Sequence, residues 1–252
     1  MPSDGISMKK IQALLLVLSV LLWANYPYAV FAANGAESFD SYADEDNLTG
    51  LNGGSGWGEA WQDSGDADDF TVESTACHVN NCVVFDSGTD EGDNERAFSA
   101  GITNGSISVY GKRLLVGDIN LVVELSKNDG TVMATLLWDR VGLGNDATLI
   151  GASAQDLGDQ DGTFQEFLVQ WGDTGGDGSC AADQMAGGFD GGTFGACQAF
   201  ANSQTGNVEQ IRIRTDGPLG GSSLDEITII DVDAGAGGGA VVDYFPDFFI
   251  DF

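Results

Sequence analysis

The chain has 252 residues and carries 39 acidic against 9 basic side chains, a formal charge of −30 at neutral pH. A field that negative repels nucleic acid and anionic membranes and draws cations, with calcium foremost because carboxylate and carbonyl oxygens suit it; the same acidity also serves solubility or adaptation to salt. With 42% hydrophobic residues in short alternating blocks, 37 Gly, and 29 Asp against 10 Glu, the composition excludes intrinsic disorder and speaks a turn vocabulary rather than a helical one.

Lys9-Lys10, the apolar run Ile11 to Trp23 and the small-residue site Val30-Phe31-Ala32 read as a secretory signal peptide over residues 1–32, with Met8 expected as the true start. The mature chain is therefore expected outside the cytoplasm: secreted, at the cell surface or in the periplasm. Removing residues 1–32 takes away Asp4, Lys9 and Lys10, so 38 acids and 7 bases remain and the charge becomes −31.

Residues 33–232 are expected to form one β-sandwich domain. Strand patterns run over Glu37–Tyr42, Phe70–Glu73, Cys82–Asp86, Ala97–Ile102, Ser106–Gly111, Asn120–Ser126, Thr131–Asp139, Ala147–Ala152, Phe164–Trp171, Val208–Arg214 and Leu224–Val232. Asn128-Asp129-Gly130 predicts a tight hairpin turn, because Asp-Gly supplies positive φ angles. Many short strands, turn signals and no helical period select an antiparallel two-sheet sandwich or jelly roll. Gly172 to Ala196 reads as a long Gly- and Asp-rich insert.

The four cysteines fall as Cys77/Cys82 and Cys180/Cys197, and disulfides within each pair are the default for an exported chain. The rival is a zinc site using His78 beside Cys77, but there is no C-x-x-C knuckle and no second histidine. After Val232, residues 233–239 form a small-residue linker and 240–252 an aromatic, acid-spaced tail, too short to span a bilayer. That tail either folds back onto the domain or docks a protein partner.

Strand alternation places Asp225 on the face of Ile227 and Ile229, at the rim of the core. Its carboxylate is expected to cap a turn, to meet Arg212 or Arg214, or to share a cation with Glu37 and Asp40. Asp156-Leu-Gly-Asp159-Gln-Asp161 fails as an EF-hand because Leu157 and Leu168 stand where acids are needed, though it and the cluster Asp90, Glu91, Asp93, Glu95 could hold a cation as irregular turns.

Glu37-Ser-Phe-Asp40-Ser-Tyr, Asn52-Gly-Gly-Ser-Gly-Trp57 to Trp61, and the closing segments Val208 to Arg214 and Leu224 to Ile229 resemble exported bacterial proteins with a concanavalin A-like, laminin-G-type jelly roll. The resemblance implies first and last strands lying together, Asp40 near Asp225, a structural calcium on Glu37, Asp40 and Asp225, and a sugar-binding face or rim. It does not extend to the Glu-x-Asp-x-x-Glu motif of glycosidases with this fold, which argues against hydrolysis; likeness of fold does not by itself establish function.

A pyranose ring offers an apolar face and outward hydroxyls, so its recognition calls for aromatic rings beside polar groups. Trp57, Trp61 and Tyr110 are the candidates, whereas Trp138 and Trp171 end apolar strands and are expected in the core. The function expected is a non-catalytic carbohydrate-binding sandwich recognising a glycan or a surface or matrix component. The alternatives are an adhesive protein using its tail and a glycoside hydrolase or lyase.

Overall fold

Alternation of buried and half-exposed side chains is clearest in the longer strands at the middle of each sheet of the computed structural model, which describes residues 33–63, 70–75, 77–85, 93–112, 120–139, 146–216 and 222–232. The expected signal peptide, the linker and tail after Val232, and Asp90 and Glu91 lie outside the described residues.

The first half of the chain contributes β1 (Ala33–Glu37), β2 (Gln62–Asp63), β3 (Thr71–Glu73), β4 (Cys82–Phe85), β5 (Asp93–Ile102), β6 (Gly105–Lys112) and β7 (Asn120–Ser126). The second half adds β8 (Val132–Asp139), β9 (Asp146–Ile150), β10 (Ala154–Asp159), β11 (Gln165–Trp171), β12 (Gln184–Phe189), β13 (Gln198–Ala199), β14 (Val208–Asp216) and β15 (Ser222–Asp231). One sheet has the order β13-β12-β11-β6-β15-β4-β3, with β1 also on β15; the other runs β10-β9-β8-β7-β14-β5-β2. Every pairing between these strands is antiparallel. The fold is an all-β, two-sheet jelly-roll sandwich, and its first and last described strands lie side by side, as expected.

Ile107, Val109, Phe167, Val169, Leu224, Ile227 and Ile229 bury against Leu121, Val123, Leu125, Leu136, Leu149, Ile211 and Ile213 of the other sheet. Each such side chain contributes roughly 1.5–3 kcal/mol by leaving water. Trp138 and Trp171 are in this core, as expected. A Cβ at Gly111 would stand 2.6 Å from the Trp138 ring, so only glycine lets that indole pack onto β6. The Asn128-Asp129-Gly130 hairpin forms between β7 and β8, with Gly130 at φ 80° and Gly130 N–H donating to the Lys127 carbonyl.

Three expectations are corrected. Glu37–Tyr42 is not a strand: β1 stops at Glu37, whose carboxylate accepts the Phe39 N–H at 3.0 Å and turns the chain, with Phe39 at φ 58°. The Gly172–Ala196 insert contains β12, whose buried Met185, Ala186 and Phe189 extend the sheet beyond β11. The acidic segment beginning at Asp156 belongs to β10, with a register shift between Asp156 and Gly158, and Asp161 caps its own turn at Thr163. Both expected disulfides, Cys77–Cys82 and Cys180–Cys197, are formed, which removes the zinc alternative on Cys77.

Candidate functional site

The Asn52–Trp61 excursion is organised by one buried cation. Arg96 on β5 donates to Glu37 Oε2 at 2.6 Å, to the Glu59 carbonyl at 2.8 Å, to Asn52 Oδ1 at 2.8 Å and to the Gly53 carbonyl at 2.9 Å. Its guanidinium lies over Trp57 at 4.6 Å and near Trp61 at 5.6 Å. Trp61 has no exposed surface, and half-buried Trp57 packs on the core with its indole N–H on the Ala36 carbonyl. Trp61 is therefore a core residue rather than a sugar platform, and Trp57 serves to bury the guanidinium: a charge under the excursion needs its pairs and its aromatic cover.

Glu37, one of the three expected calcium ligands, is spent on this arrangement, accepting also the Tyr42 hydroxyl at 2.7 Å. Burial, then the Glu37 carboxylate, push the Tyr42 hydroxyl up to about 12. Asp40 accepts Asn81 N–H at 3.2 Å and Asn80 Nδ2 at 3.1 Å. Asp225 accepts His78 N–H at 3.1 Å, Val79 N–H at 2.9 Å and Glu226 N–H at 2.8 Å. Asp40 and Asp225 thus meet the same loop, Asp225 buried among three N–H donors and exposed Asp40 accepting one donor on each oxygen. Among the described residues no group of three or more His, Cys, Asp or Glu side chains is arranged to hold a metal ion, so the calcium expectation finds no fitting ligand set there.

Asp225 also lies on the other face of the sheet from the one alternation assigned it. It pairs with outward-facing Tyr110, whereas Ile227 pairs with inward-facing Val109, and the slip is absorbed at Glu226, which sits at φ 42°. A bulge of this kind places two successive side chains where alternation allows one. Asp225 is nonetheless fully buried, because the loop between Cys77 and Cys82 lies over it. Burial pushes its carboxyl up to about 6 against the pull of the N–H donors. Its partners are not Arg212 or Arg214, which meet Asp93 and Glu124 on the opposite sheet.

The bulge and the loop build one end of an open trough on the outward face of the larger sheet. Its floor is set by alternation: Ser106, Ser108 and Tyr110 from β6, Glu166, Leu168 and Gln170 from β11, and Glu226, Thr228 and Ile230 from β15 line a cavity of about 420 Å³. A second cavity of about 330 Å³ shares Ser106, Gln170 and Ile230 and continues to Thr174 and Asp177 in the insert. At the loop end the His78 ring stacks on Tyr110 with centroids 4.5 Å apart and planes 9° from parallel, while His78 Nδ1 and Glu226 Oε2 are 2.9 Å apart. Ser108 Oγ donates to Glu166 Oε1 at 2.5 Å, fixing that carboxylate across β6.

Of the three aromatic candidates, Tyr110 alone faces this trough. Glu166, Glu226, Ser108, Gln170 and Thr228 went unrecognised in sequence. The available signal was that β6 and β11 alternate core residues with hydrogen-bonding ones, which a merely solvated face also does. His78 was visible only as an isolated histidine.

No protein family matches this sequence, and no curated protein does. Solved structures that resemble the chain include domain 4 of AbnA, a GH43 extracellular arabinanase from Geobacillus stearothermophilus, in complex with arabinotriose, at TM-score 0.49 and 10% identity over 80% of this chain and 93% of that one. The Crh5 transglycosylase in complex with NAG reaches TM-score 0.49 and 12% identity over 82% and 86%. The exoplasmic/lumenal domain of VIP36 in a Ca2+/Man-bound form reaches 0.42 and 7% over 78% and 92%. At these scores the likeness assigns no ligand and no residue role to this chain.

Proposed function

We propose that the chain is an exported carbohydrate-binding sandwich whose ligand lies in the trough across β6, β11 and β15. One observation carries this reading: an aromatic side chain, Tyr110, stands in a continuous trough among hydroxyl, amide and carboxylate groups projecting from three adjacent strands. An apolar ring face beside fixed hydrogen-bonding groups is the chemistry a sugar requires. Two disulfides suit an oxidising compartment and support the export half.

The test is titration of oligosaccharides by calorimetry on the wild type and on Thr228→Trp, which fills the middle of the trough from a half-exposed position. Binding by the wild type and its loss in the variant are expected. Binding that the variant retains, or no binding to any oligosaccharide, overturns the reading.

A second reading, glycoside hydrolysis, has one observation in its favour. Glu166 and Glu226 flank Tyr110 from the strands on either side of β6, their backbones two strand spacings, roughly 9–10 Å, apart. Cleavage of a glycosidic bond by acid and base needs a pair of carboxyls flanking it in this way. Release of reducing ends from bound oligosaccharides, absent in Glu166→Gln, would establish it.

A further inference from the structure

We infer that the trough selects glycans bearing free amino groups, an inference that rests on the carbohydrate-binding reading and names its ligand class. Three acids line the trough along its length: Glu226 at the loop end, Glu166 on the facing strand and Asp177 in the insert. Among its described lining residues there is no lysine or arginine. The next outward residue of β6, Lys112, has its ammonium over the Phe164 ring at 5.6 Å.

Two of these carboxylates are held in position. Ser108 fixes Glu166, and His78, itself stacked on Tyr110, fixes Glu226. Each keeps acceptor capacity beyond that one donor among the described residues, since an ionised carboxylate offers about four lone-pair sites. A sugar hydroxyl can take up such a site, but an ammonium adds charge to the hydrogen bond and roughly doubles its strength. An N-acetyl group removes the charge, and a uronate reverses it against a chain of net charge −30.

Glu226 stands in the left-handed region at φ 42°, which L residues adopt at a cost, and the bulge there turns its side chain into the trough together with Thr228 and Ile230. A lysine-rich peptide would satisfy the acids equally well. The sugar is favoured because hydroxyl and amide groups of Ser106, Gln170 and Thr228 lie between the glutamates and Asp177: an amino sugar carries hydroxyls on the same ring as its ammonium, whereas a lysine sets its ammonium four methylenes away from the backbone amides.

The experiment compares β-linked glucosamine hexamer, its N-acetylated counterpart, a neutral glucan hexamer, a uronate hexamer and a lysine hexamer by calorimetry with the full chain. The glucosamine hexamer is expected to bind at least about tenfold more tightly than the N-acetylated or neutral hexamers, and the uronate not at all. Glu166→Gln and Glu226→Gln should each erase most of that preference, while Asp159→Asn, an equal charge change on exposed β10 of the other sheet, leaves it intact. Equal or tighter binding of the neutral or N-acetylated hexamer overturns the amino-group inference and leaves the carbohydrate reading standing. Failure of every sugar overturns both. Lysine hexamer binding as tightly as the amino sugar, or a preference insensitive to Glu166 and Glu226, shows attraction to net charge alone and overturns the inference.

Discussion

Asp225 and Asp40 hold the two halves of one disulfide-closed loop: Asp225 takes the backbone N–H groups of His78 and Val79, and Asp40 takes those of Asn81 and the Asn80 side chain. The loop is short, Cys82 following Cys77 at a sequence separation of 5, and its one aromatic side chain, His78, lies flat on Tyr110. Carboxylates that could have gathered around an ion instead order the wall of a trough.

The Asp225 carboxyl gives this arrangement a pH signature. Burial raises it from 3.8 to about 6 in the folded chain, so its contribution to stability is fully present below about pH 4 and is lost as the pH rises through about 6. Asp225→Asn removes that titration. At low pH it should be destabilised by about 1–3 kcal/mol, because Nδ2 cannot accept the Glu226 N–H. The deficit relative to wild type should narrow between pH 4 and 6, as read from paired urea midpoints. A deficit that is flat or widens across that window contradicts the assignment.

The two disulfides should separate stability from binding. Loop-closure entropy assigns about 3 kcal/mol to Cys180–Cys197 and about 2 kcal/mol to the shorter Cys77–Cys82 bridge. Cys77→Ala/Cys82→Ala should nonetheless cost more affinity for the ligand of the trough, since His78 and Glu226 meet at that loop. Calorimetric affinities ranked the other way would show that the loop does not shape the site.

Arg96 and Glu37 form a buried ion pair with every guanidinium nitrogen engaged. Arg96→Met strands the Glu37 carboxylate and should cost about 3–5 kcal/mol in denaturant unfolding. Arg96→Met/Glu37→Gln should recover part of that loss, because the amide oxygen still accepts the Phe39 N–H. No recovery in the double variant would mean that Arg96 acts through its aromatic and carbonyl contacts rather than through the carboxylate.

The architecture was legible because it follows from alternation: in β6, β8, β11 and β14 a period of two survives almost unbroken, and the hairpin at Gly130 is dictated by its own turn residues. What escaped depends on contacts distant in sequence. Trp57 and Trp61 stood in a glycine-rich stretch that reads as an exposed loop, and Arg96 together with backbone bonds to Ala36 and Ala97, all distant in the chain, folds it onto the core. Glu226 escaped because a bulge leaves no mark on composition, yet it alone turned Asp225 away from the face of Ile227.

That bulge also supplies a test independent of any ligand. Glu226 adopts φ 42°, where a side chain costs about 1–2 kcal/mol that glycine avoids. Glu226→Ala keeps the unfavourable conformation and loses the His78 contact, whereas Glu226→Gly loses the same contact and relieves the conformation. Glycine gives back part of this advantage through its greater flexibility in the unfolded chain, roughly 0.5–1 kcal/mol. The Gly variant should therefore be the more stable of the two by up to about 1 kcal/mol, and both should bind the ligand of the trough equally weakly. An Ala variant at least as stable as the Gly variant would place Glu226 in ordinary extended backbone, and the slip that brings Asp225 opposite Tyr110 would have to be taken up elsewhere along β15.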